Sequence, residues 1–218
     1  MGDSPILYGV LVVVLTAFML VFAFGTQRNL TKGRRMMAWL QGGLPVLGRR
    51  TTVRWLGSSA VELKITDPNA PFNDAEVVFV LEPRDLSWLW AASRARGRRD
   101  FLIMRGRLER APRFEIEAGD PSGWTGRHGL DRLDPAAWRE AEWPDVGVCI
   151  AHSADADPAE LRPRFDALRA SSGGVWRMSV RRDAPHVEVH VLPPSDDAAA
   201  AELFGAFRDF ARAVMRPA

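Results

Sequence analysis

The densest chemistry in the chain is a run of arginines. Arg94, Arg96, Arg98, Arg99, Arg105, Arg107 and Arg110 are interrupted only by Asp100 and Glu109, and they follow Trp88 and Trp90. A guanidinium presents a planar fork of donors that matches phosphate and carboxylate oxygens. An indole beside it suits a headgroup layer, a base or a protein interface. Trp88, Trp90, Arg94, Arg96, Arg98, Arg99, Arg105 and Arg107 are therefore the expected contact surface for an anion or a partner. The plainer reading is also open, because arginines at a helix C-terminus are favourable without any ligand.

The other reactive residue types do not assemble into a site. His186 and His190 are four apart, which on a strand separates them by roughly 13 Å. Cys149 and His152 supply two metal ligands where zinc takes about four, or three and a water. The glycines of 123–129 lack the spacing of a dinucleotide loop and the Lys-Ser/Thr of a phosphate loop. No Gly-x-Ser-x-Gly elbow occurs. Of the acids Asp145, Asp155 and Asp157, the last precedes Pro158 and reads as a helix cap. No catalytic, cofactor-binding or metal-binding residue is assigned, and no cofactor is expected.

These residues hang from one apolar stretch. Ile6 to Phe24 contains no charge and no proline. As a helix it spans about 29 Å, the thickness of a bilayer core. The flank Met-Gly-Asp-Ser-Pro has no Lys or Arg, and the run is too long for a signal peptide. Arg28, Lys32, Arg34, Arg35, Arg49, Arg50 and Arg54 follow it, with no acid between Asp3 and Glu62. Positive charge stays in the cytoplasm, so the N-terminus is expected outside and everything beyond Arg28 inside. Arg28, Lys32, Arg34, Arg35 and Trp39 are the expected lipid-headgroup contacts. Gly42-Gly43 and Pro45 are expected to end the helix that carries them.

The rest reads as α+β. Val53 and Trp55, then Val61, Leu63 and Ile65, alternate as a hairpin with one buried face. Strands are predicted at 76–81, 101–107, 113–118, 146–151, 175–181 and 187–191. Glu115 and Glu117 are expected to face outward. Helices are predicted at 84–96, after Asp134, after Asp157 and at 196–215, the last with Leu203, Phe207, Phe210 and Val214 on one stripe. Strand, helix, strand, Ala-Pro turn, strand, helix occurs twice, with Ala111-Pro112 matching Ala184-Pro185. Two related βαββα units are the resulting expectation. The domain reading is an anchor at 1–27, a basic juxtamembrane segment at 28–50, and α+β units at 51–130 and 131–218.

Composition narrows the function classes. The 218-residue chain carries a net charge of only +2, so its positive charge is local. One cysteine excludes an internal disulfide. The leading expectation is a non-enzymatic single-pass membrane protein whose cytoplasmic domain is an interaction or accessory module. Its partners are the lipid bilayer and a protein partner or second copy. A tethered binder of anionic ligands, lipid headgroup or nucleic acid, is the first alternative, although no nucleic-acid module is present. A tethered enzyme with a site between the two units is the second. If basic flanking charge sets the orientation, placing two lysines before Ile6 should divert a measurable fraction of molecules to the inverted topology in a dual-reporter fusion assay. An unchanged orientation would contradict that cause.

Overall fold

The computed structural model describes residues 5–131, 133–134 and 137–215. Its first element, α1 (Pro5–Leu47), is one unbroken helix of 43 residues. Every residue from Pro5 to Phe24 is exposed. From there the buried positions are Gly25, Asn29, Gly33, Met36, Leu40, Gly43, Leu44 and Leu47. Steps of three and four place them on a single stripe. The helix is thus apolar all round in its first half and amphipathic in its second.

This corrects the expectation that Gly42-Gly43 and Pro45 end the helix. Gly43 is there because another helix comes too close for a side chain. A Cβ on it would lie 2.4 Å from Phe204 Cδ2 and 2.8 Å from the Ala200 carbonyl. Pro45 forfeits one N–H in the last turn. The carbonyls left over at the end are satisfied from the following loop: Asn69 Nδ2 donates to Pro45 O (2.9 Å) and Val46 O (3.2 Å), and Asn69 N–H donates to Leu47 O (2.7 Å). A local stop signal is overridden by tertiary caps.

Nine strands follow: β1 (Thr51–Trp55), β2 (Ala60–Ile65), β3 (Phe72–Val80), β4 (Phe101–Leu108), β5 (Ile116–Gly119), β6 (Arg139–Trp143), β7 (Val148–His152), β8 (Val175–Val180) and β9 (Val187–Val191). They form one antiparallel sheet in the order β1-β2-β3-β4-β9-β8-β5-β7-β6. Short helices α2 (Ser87–Ala95) and α3 (Gly126–Leu130) interrupt the series, and α4 (Pro158–Ala170) and α5 (Asp197–Val214) complete it. The hairpin and strands close to β3, β4, β5, β7, β8 and β9 were expected from the sequence, whereas β6 was not, and Val53 on the edge strand β1 is exposed rather than on a buried face. The Asp157 cap of α4 was also expected, and it accepts from Ala159 N–H at 2.9 Å. Asp196 caps α5 in the same way, accepting from Ala199 N–H at 2.9 Å, a role the expected helix at 196–215 did not assign.

The period of two gives the sheet two faces. One register row, Leu63, Val77, Met104, Val189, Met178, Ala118 and Ile150, is apolar throughout. It packs beneath α1, α5 and α4. Phe72 stacks on Phe207 of α5 at 5.4 Å between centroids, and Trp143 meets Phe165 of α4 at 5.0 Å.

The halves do not share a strand order. β3 pairs directly with β4, whereas β7 and β8 are separated by β5. Ala111-Pro112 turns the chain but leads to no hairpin, since β4 pairs with β9 and β5 with β8. Strands of the region 51–130 and of 131–218 therefore interleave in one sheet. The short helix expected after Asp134 lies on Pro135 and Ala136, outside the described residues, and β6 follows it.

The two adjacent glycines of α1 make a paired test. Gly43→Ala forces a methyl onto a buried ring and a backbone carbonyl, which costs about 1–3 kcal/mol and outweighs the helix-propensity gain of roughly 1 kcal/mol. Gly42 is exposed and its Cβ would meet nothing nearer than 3.8 Å, so Gly42→Ala keeps that gain. Thermal unfolding in detergent should move down for the first and up for the second. Equal shifts would contradict the packing.

Candidate functional site

β3 and β4 are register partners up to Val80 and Phe101. The residues just beyond, Glu82 and Asp100, therefore meet at the same end of the sheet. Asp100 Oδ1 accepts the Glu82 N–H at 2.7 Å. Pro83 then turns the chain, and Arg84 folds back between the two carboxylates. Its Nη1 and Nη2 donate to Asp100 at 3.0 and 2.9 Å, and Nη2 also donates to Glu82 Oε2 at 2.5 Å. Both acids are buried, and a buried carboxylate persists as an ion only with paired cations and satisfied lone pairs.

The remaining partners come from the two helices. From α2, Trp90 Nε1 donates to Glu82 Oε2 (3.0 Å) and Arg94 Nη1 to Glu82 Oε1 (2.9 Å). From α1, Asn29 Nδ2 donates to the Glu82 carbonyl (3.1 Å), and Lys32 pairs with Asp100. Arg84 Nη1 returns to Asn29 Oδ1 at 3.2 Å. Two carboxylates thus tie α1, α2 and the sheet together. Burial pushes the Asp100 carboxyl up, but the bonds from Arg84, Lys32 and the Glu82 amide outweigh it and hold it below the usual range.

Beside this node runs an open groove of about 1410 Å³. Leu20, Val21 and Phe24 form its upper wall, from the exposed apolar half of α1. Below them stand Arg28, Lys32 and Arg35, with Arg94 and Arg99 opposite. The Arg28 guanidinium lies 5.4 Å from the Phe24 ring centroid. Among the described residues, Arg99 donates only to the carbonyls of Arg94 (2.9 Å) and Arg98 (2.7 Å). Among the described residues, no carboxylate pairs with Arg28, Arg35 or Arg99. The groove is cationic at its base and apolar at its rim.

The arginine run is not one surface. Trp88 is 69% exposed on α2, whereas Trp90 is committed to Glu82. Arg96 is exposed, and Arg98 lies over Trp124 at 5.7 Å. Arg105 sits mid-strand and pairs with Glu188 and Glu76. Arg107 is exposed farther along β4, roughly 20 Å from the strand's start. Of the headgroup set, Lys32, Arg28, Arg35 and Trp39 line the groove, and Arg34 does not.

Sequence reasoning missed a second polar structure on the sheet's other face. Glu76, Arg105, Glu188, Ser179 and Glu117 form one register row, with Arg177 and His190 in the next. Glu117, expected outward in solvent, is buried. Arg177 Nε donates to it at 2.5 Å, and Arg181 also pairs with it. The segment containing α3 covers the ladder, and a Cβ on Gly129 would strike Glu117 Oε1 at 2.4 Å. Burial pushes the Glu188 carboxyl up, yet His190, Arg105 and Arg177 bring it down to about 2. Three arginines meet three glutamates, so the ladder neutralises itself. The signal was the ionisable residues at outward positions of neighbouring strands: Arg105 and Arg107 of β4, Glu117 of β5, Arg177 of β8, and Glu188 and His190 of β9. Among the described residues no group of three or more His, Cys, Asp or Glu is placed to hold a metal. His186, rather than pairing with His190, accepts the Leu108 N–H at 2.9 Å.

The chain matches no protein-family model and no curated protein.

Asp100 gives a pH test. A carboxyl held below its unfolded value stabilises the fold above that value, and the contribution is lost as pH falls below about 4 and through the folded value. Asp100→Asn removes it and leaves Arg84 and Lys32 one carboxylate short, which costs about 3 kcal/mol at neutral pH. In denaturant titrations the gap between wild type and variant should narrow from pH 7 to pH 3. A gap constant with pH would contradict the node.

Proposed function

We propose that the chain is a non-enzymatic single-pass membrane protein with its α+β domain on the cytoplasmic side, acting there as an interaction or accessory module. The observation that carries this reading is the shared helix. The stretch long and apolar enough to cross a bilayer has none of its surface buried, and the same helix continues as the core of the domain. Such a domain has no linker on which to swing, so any partner meets it at one height and one angle to the lipid. A fixed pose serves assembly beside other membrane components. The polar clusters favour the same reading: the sheet-face ladder spends its charges on itself, and the buried carboxylates near α1 serve as structural ties.

Cys149 is exposed and is the sole cysteine. A membrane-impermeant maleimide should label it only after permeabilisation; labelling in intact cells would contradict the orientation. Purified from its host in mild detergent, the protein should elute with a stoichiometric partner or a second copy. A lone monomer that turns over a substrate would overturn the role.

A further inference from the structure

Three features of the α1–α2 groove point in one direction. The first is height. Gly25 directly follows the apolar run, and a Cβ there would lie 2.1 Å from the Arg84 carbonyl and 2.7 Å from Asp85 Cα. The turn that leads into α2 is therefore pressed against α1 where the hydrocarbon layer ends. At that level α2 exposes Trp88 (69%) and Leu89 (36%), the residue types that settle at a membrane interface.

The second is charge. Arg28, Lys32, Arg35, Arg84, Arg94 and Arg99 line the groove against Glu82 and Asp100 alone. Those two acids are consumed by Arg84, Arg94 and Lys32. Arg28, Arg35 and Arg99 are left over. Side chains on a helix lean toward its N-terminus, so Arg28 and Arg35 lean toward the lipid. The third is the wall. Leu20, Val21 and Phe24 continue the groove upward into the bilayer-facing half of α1, so its apolar end opens onto acyl chains.

Resting on the reading of 6–24 as a membrane span, we infer that this groove is a site for an acidic phospholipid of the bilayer that α1 crosses. The phosphate sits among Arg28, Arg35 and Arg99, and an acyl chain lies along Leu20, Val21 and Phe24. Trp88 and Leu89 rest in the interface beside it. Surface attraction alone would draw any basic segment to acidic lipid; this groove adds a defined cradle with donors on two sides and an apolar exit. Ligand and anchor share one origin, since the lipid is already at the groove's mouth.

The full-length protein, delipidated in detergent, is titrated with phosphatidylglycerol and separately with phosphatidylcholine, and bound lipid is counted by native mass spectrometry. Carbonate extraction of cell membranes is run in parallel. One variant carries Arg28→Gln, Arg35→Gln and Arg99→Gln. A charge-matched control carries Arg34→Gln, Arg49→Gln and Arg50→Gln, all exposed and outside the groove. None of the six has a carboxylate partner among the described residues, so both variants should melt like wild type. One phosphatidylglycerol should be retained in preference to phosphatidylcholine. The groove variant should lose roughly a hundredfold in affinity, about a factor of five per arginine, and the control little. Equal losses in both variants, or no preference for the acidic lipid, would overturn the site. Displacement by millimolar inorganic phosphate would assign it to a soluble anion, and displacement by a short single-stranded RNA to nucleic acid; either result overturns the lipid assignment. Release of the protein by carbonate would instead defeat the membrane span itself, a separate failure.

Discussion

The close approach of α1 to its neighbours governs the rest of the architecture. Gly25 against the Arg84 carbonyl, Gly33 against the Trp55 ring and Gly43 against Phe204 are contacts in which a methyl group has no room. Steps of eight and ten residues keep all three on one side of the helix, and Met36, Leu40, Leu44 and Leu47 fill the spaces between. Burial of that stripe supplies the hydrophobic stabilisation of the helix layer, and close packing makes the result rigid rather than merely sticky. Remove the contact, and the apolar first half becomes a helix on a tether instead of an extension of the domain.

Polar chemistry reinforces the same junction. Glu82 and Asp100 are costly to bury and persist because four side chains from two helices and the turn after β3 reach them: Lys32, Arg84, Trp90 and Arg94. Such ties are weak sources of net stability but strong sources of geometry, since any displacement of α1 or α2 leaves an ion unpaired. The groove follows from this arrangement. Its acids are consumed by the ties, and the cations that remain line it beside the exposed apolar half of α1.

Much of the fold was legible where the governing interactions are local. The hairpin of β1 and β2, the Asp157 cap and the stripe Leu203, Phe207, Phe210, Val214 follow from period and capping. The end of α1 did not, because glycine as a stop signal and glycine as a packing notch look identical until the neighbouring helix is in place. Likewise Pro45 reads as a breaker until Asn69 is seen capping the turn. The insertion of β5 between β8 and β7 is a long-range pairing with no short-range signature. Of the residues lining the groove, Trp90, Arg94 and Arg99 belong to the expected anion or partner surface, and Lys32, Arg28 and Arg35 to the expected headgroup set. Their convergence on one groove depends on Glu82 and Asp100, which composition marks only as ordinary acids.

Continuity of α1 from lipid to core is the claim on which orientation, groove and role all rest. Spin labels at Leu7 and Ala38, in a Cys149→Ser background reconstituted into nanodiscs, measure it directly by pulsed dipolar spectroscopy. Both positions are exposed, and a straight helix separates them by about 46 Å. One narrow distance distribution near that value is the expected result. A broad distribution, or one centred well below it, would show a hinge between span and domain and contradict the account.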